Sequence, residues 1–69
     1  MNNLDIIFVG DNERIFVNSV SPTDEQRLEV YRIYNLITGE TKKPNSCGRC
    51  WRNVRKRVWQ EYLKKVNII

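Results

Sequence analysis

Cys47-Gly48-Arg49-Cys50 is the stretch of this 69-residue chain whose residue types and spacing suit chemistry most directly. At a helix start, the positive end of the dipole and the nearby Arg49 and Arg52 would lower the pKa of the first thiol. The thiolate is the form that attacks a disulfide or binds a metal. Four readings of the pair stay open: a redox centre, a disulfide across the first helical turn, two packed free thiols, or half of a four-cysteine zinc site shared between copies or with a partner. Zinc takes four ligands and this chain offers two cysteines, so no metal is expected within one copy. The chain has no histidine, so a histidine-activated nucleophile cannot be built. It also has no glycine-rich phosphate loop. Asp24, Glu25 and Glu29 lie at a helix start, where the dipole accounts for them. The expectation is a non-enzymatic protein with no cofactor and no small-molecule substrate.

Over those four residues the chain resembles the active-site motif of thioredoxin-like proteins, which implies thiol–disulfide exchange. The rest departs from that family: the chain is short, no βαβ pattern precedes the motif, and no cis-proline candidate follows it.

The element that must position the cysteines is a helix over 46–66. At 100° per residue, Cys47, Trp51, Val54, Val58, Tyr62 and Val66 fall within about 60° of one line, the width of a core-facing stripe. Arg49, Arg52, Lys56, Arg57, Gln60 and Lys64 take the opposite face, with Trp59 and Leu63 at the border. Asn45 or Ser46 can cap the first turn, and Lys64 and Lys65 complement the dipole at the last. Charge is uneven along the chain. Residues 1–41 carry three basic and seven acidic side chains, net −4, and residues 42–69 carry nine basic and one acidic, net +8. The basic half suits nucleic-acid phosphates or an acidic protein surface. The candidate contact residues are Lys42, Lys43, Arg49, Arg52, Lys56, Arg57, Trp59 and Lys64. Arginine serves phosphate through its planar fork of donors, and Trp59 could anchor on a partner. Contacts of this kind position a nucleic acid without reading its sequence.

The remaining elements read as follows. Residues 4–9 and 14–17 are short apolar, β-branched runs across Gly10-Asp11-Asn12-Glu13, a composition that predicts a β-hairpin over 4–17. Its free edges could accept a strand from a partner or a second copy. Residues 18–21 form a linker. Ser21-Pro22-Thr23-Asp24-Glu25 predicts a helix start, with Ser21 as cap, and a helix over 22–38. Val30, Ile33, Tyr34 and Ile37 share a face of that helix. Leu28 and Leu36 lie off it, which predicts burial on more than one side. Gly39 suits a left-handed helix end, and 40–45 make a polar loop between helices that run antiparallel or crossed. The predicted fold is a single α+β domain over 1–69: a hairpin, then a two-helix hairpin. A chain this short buries a small core and gains from a disulfide, an oligomer or a larger assembly. No signal peptide or membrane-spanning run is present, so a cytoplasmic or virion setting is expected, without secretion or membrane contact.

The run from Tyr31 to Tyr62 resembles small uncharacterised proteins of phages and mobile elements of Bacteroidetes-type bacteria. The resemblance rests on Tyr31-x-x-Tyr34-Asn35, Thr38-Gly39-Glu40 and the Cys-x-x-Cys that opens a basic helix. It implies a phage-associated setting and carries over no functional residue. The functional expectation is a small basic accessory protein in a larger assembly or virion, contacting nucleic acid or an acidic subunit. The alternatives are a free nucleic-acid-binding regulator and a thiol or inter-subunit zinc module using Cys47 and Cys50.

Overall fold

Asn2 starts a helix where the composition predicts a strand. In the computed structural model, which describes residues 1–18 and 20–66, the Asn2 side chain accepts the Asp5 backbone N–H at 2.8 Å and caps α1, Asn3–Asp11. A second short helix, α2, runs over Glu13–Val17. Helix α3 spans Asp24–Thr38 and α4 spans Gly48–Val66. Among the described residues no strand forms, so the fold is all-α and the predicted hairpin over 4–17 is overturned.

The physical reason is period. Short apolar runs fit a buried helix as well as a strand. The buried positions here are Asp5 and Val9, then Ile15 and Phe16, a helical spacing that leaves Leu4 and Ile7 exposed. Asn12, expected in the hairpin turn, instead joins the two helices: its side chain donates to the Phe8 carbonyl at 2.8 Å and accepts from Gln26 at 2.8 Å. With no hairpin, the proposed strand edges do not exist.

Helix α3 begins two residues later than 22, because Thr23 and not Ser21 is its cap. The Thr23 hydroxyl accepts the Gln26 N–H at 3.1 Å, and the Gln26 side chain accepts the Thr23 N–H at 2.8 Å. This reciprocal box satisfies two otherwise orphaned donors. Gln26 therefore caps its own helix and ties it to Asn12. Gly39 ends α3 with φ 76°, the left-handed conformation. The linker expected over 18–21 is non-helical at Asn18 and over Val20–Ser21, and Ser19 lies outside the described residues.

The core is built from Val9, Ile15, Phe16, Val30, Tyr31, Ile33, Tyr34, Val54 and Val58, with Phe8, Ile37, Trp51, Trp59 and Tyr62 packed against it. The predicted faces of α3 and α4 supply most of it. Leu28 and Leu36, however, are 57% and 64% exposed, so α3 is buried along one side only. Gly10 marks a close approach of α1 to α4: a Cβ there would stand 3.1 Å from the Tyr62 hydroxyl oxygen.

The connection between α3 and α4 does not close a tight hairpin. Trp51, in the first turn of α4, stacks near Tyr31 with ring centroids 6.2 Å apart and lies under the Arg27 guanidinium. Residues 39–47 therefore run back along α3 before α4 begins. Asn35 holds this return, accepting from the Lys42 N–H at 3.0 Å and donating to the Lys42 carbonyl at 2.8 Å. Tyr34 adds a hydrogen bond to Glu40.

Candidate nucleic-acid interface

Helix α4 is made for two faces. Val54 and Val58 are fully buried, while Arg49, Arg52, Lys56 and Lys64 are exposed. At 100° per residue these four cations lie within about 60° of one line. They spread over roughly 22 Å of helix axis at 1.5 Å per residue. Lys43, in the returning loop, is exposed as well. None of these five makes an ion pair with a described residue.

The other three candidates are used internally. Lys42 lies 4.0 Å from Glu40, and its ammonium stands 5.3 Å from the Tyr34 ring centroid. The hydrogen bond from the Tyr34 hydroxyl pulls the Glu40 pKa below the usual carboxylate value. Arg57 pairs with Glu61 one turn on, at 3.1 Å, and that contact lowers the Glu61 pKa. Trp59 is half-buried between Phe16, at 5.8 Å between ring centroids, and Tyr62, at 5.0 Å. It packs α2 on α4.

The cysteines sit where the helix starts. Asn45 accepts the Cys47 N–H at 2.9 Å, and the Cys47 carbonyl takes the first helical bond, from the Trp51 N–H at 3.1 Å. Cys47 Sγ accepts the Cys50 N–H at 3.2 Å, the place an oxygen fills in an ordinary cap. Both cysteines are free thiols that face one another, Cys50 donating to Cys47. The thiol and backbone donors of Cys50 lower the Cys47 pKa, and the same contact raises that of Cys50. Among the described residues no group of three or more His, Cys, Asp or Glu side chains is placed to hold a metal ion. Zinc would thus need ligands from a second chain.

Two residues escape the sequence reading. Arg55 lies on the apolar flank of α4, about 40° from Trp51 at 100° per residue, and its guanidinium reaches the Ile15 carbonyl at 3.4 Å. Arg27 projects over the Trp51 ring, with its guanidinium carbon 5.9 Å from the centroid. A basic residue inside an otherwise apolar stripe was a usable signal for Arg55. Nothing local marks Arg27, whose neighbour is distant in sequence.

Compared with protein families, curated proteins and solved structures, the chain has no significant match to any of them. No helix among the described residues is long and apolar enough to cross a membrane.

Proposed function

We propose that the protein is a small non-enzymatic accessory component that presents one face of α4 to the phosphates of a nucleic acid, within a phage-type assembly. The observation that carries this reading is the set of exposed, unpaired cations Arg49, Arg52, Lys56 and Lys64 along α4, with Lys43 beside them. A polyanion offsets their mutual repulsion and releases its own counterions. The phage setting rests on the resemblance of the Tyr31–Tyr62 run.

Affinity for a random-sequence duplex, measured by fluorescence anisotropy against salt, tests this. Five phosphate contacts give a slope of log K on log salt of about −4 to −5, and sequence changes in the duplex leave it unaltered. A flat salt dependence would overturn the reading. A free regulator would bind duplex equally well without co-purifying with other subunits.

A second reading is a thiol module, favoured by the lowered pKa of Cys47 beside a donating Cys50. Replacing both cysteines by serine abolishes function under that reading. Under the first it leaves the salt slope intact.

A further inference from the structure

We infer that the cavity between the linker ahead of α3 and the first two turns of α4 is a seat for a single phosphate group of the bound nucleic acid. The inference deepens the nucleic-acid reading and rests on it.

The cavity measures about 290 Å³ and is lined by Ser21, Arg27, Gly48, Trp51, Arg52 and Arg55 among others. Three guanidinium-bearing side chains from two helices thus line one small space, and none of its described lining residues is acidic. These three positive side chains have no acid among them to offset their charge, although the Arg55 guanidinium also reaches the Ile15 carbonyl at 3.4 Å. The wall adds donors of other kinds. Ser21 is exposed and offers a hydroxyl. Gly48 is the first residue of α4, so the positive end of that helix opens here. Arg27 Nε is buried with no hydrogen-bond partner, as are the Tyr31 hydroxyl and Asp5 Oδ2 among the described residues, and it leaves a donor at this wall. No ion pair to a described residue engages Arg27, Arg52 or Arg55.

The aromatic ring in the wall narrows the ligand class. Trp51 is covered by Arg27 and stacked near Tyr31. Arg27 over the Trp51 ring competes with a base for that face, while the guanidinium groups suit a phosphate. Arg52 belongs both to this cavity and to the outer cationic face. A backbone that enters the seat would continue past Arg52 to Arg49 and Lys56.

Inorganic phosphate is the first probe, titrated into the full chain and followed by amide and arginine Nε–H resonances. Saturable shifts at Gly48 and Arg27 are expected. They should weaken about tenfold in Arg27→Gln or Arg55→Gln, because each removes one charge-assisted contact. Random-sequence duplex is the second probe. It should compete with phosphate for the seat, and Arg27→Gln should reduce the salt slope by about one. Melting curves identify any variant that fails to fold, and the titration of the unaltered chain decides the matter without variants. If phosphate leaves Gly48 and Arg27 unshifted, the seat does not exist. Phosphate binding that duplex cannot displace overturns the assignment to a nucleic-acid backbone, since the seat would then serve free phosphate. The broader reading fails separately: duplex that does not bind at all, with phosphate shifts intact, removes the nucleic-acid function and leaves the cavity.

Discussion

The first three helices and α4 treat charge in opposite ways. In the acidic half, one buried charge pair joins α1 to α3. Asp5, 1% exposed, meets Arg32 at 2.6 Å, and Arg32 also holds Glu29 at 2.8 Å. These two acceptors, Glu29 first, push the Arg32 pKa up. On α4 the single acid, Glu61, takes Arg57, while Arg49, Arg52, Lys56 and Lys64 face outward unpaired among the described residues. Charge in the first region orients helices against each other. Charge in the second is displayed.

The strongest way to break this contrast is at Arg32. Removing it in Arg32→Ala leaves the buried Asp5 carboxylate uncompensated, an expected loss of about 2–4 kcal/mol. A chain of this size has only about 3–10 kcal/mol in total, so the urea midpoint should collapse. Asp5→Leu combined with Arg32→Leu should recover most of the loss, since an apolar pair of this kind replaces a buried ion pair at little cost. Equal stability in Arg32→Ala and the parent would show that the acidic half does not use its charge for folding.

That same pair shows what the chain hid. Asp5 inside Leu4–Val9 reads as a polar interruption of a strand, yet it is a buried helix residue held by Arg32, 27 positions away. The local signal was Asn2 followed three residues on by Asp5, a cap pattern. The β-branched composition pointed to a strand, a weak guide that packing overrides. The α4 stripe was legible because Trp51, Val54, Val58 and Tyr62 repeat at helical spacing along one element. Gly39 was legible because its left-handed geometry needs only local chemistry. The arginine cavity was not, because Arg27 and Arg55 come to line one space only after residues 39–47 fold back along α3. The packing of Trp59 was hidden for a related reason: its neighbour Phe16 belongs to the helix read as a strand.

A smaller effect sharpens the contrast within α4 itself. Trp59→Ala removes the ring between Phe16 and Tyr62 and should cost about 2–3 kcal/mol in chemical denaturation, below a full core deletion because the ring is half-buried. The paired variant Arg49→Gln with Lys56→Gln should change stability by no more than about 0.5 kcal/mol. It should reduce the salt slope for duplex binding by about two. The two variants thus separate a packing residue from display residues on neighbouring faces. Weaker duplex binding in a folded Trp59→Ala chain would return Trp59 to the interface.

The slightest perturbation concerns the joint where α4 begins, and it is read by reactivity and not by stability. The Cys47 pKa is lowered first by the Cys50 thiol donating to its sulfur and then by the Cys50 backbone N–H, while Cys50 is raised by the same contact. A lowered thiol pKa means the thiolate appears at lower pH, so iodoacetamide should label Cys47 before Cys50 as pH rises from neutral, a result read by peptide mass spectrometry. Cys50→Ala removes the S–H donor and keeps the backbone one. The labelling midpoint of Cys47 should move up in pH but stay below that of an unperturbed thiol, since the helix start still donates. Cys50→Ser restores a donor and should restore much of the shift. If both cysteines label together at every pH, the sulfur of Cys47 does not act as the cap of α4. The helix would then have to hold its first turn through the Asn45 bend and packing of Trp51 alone.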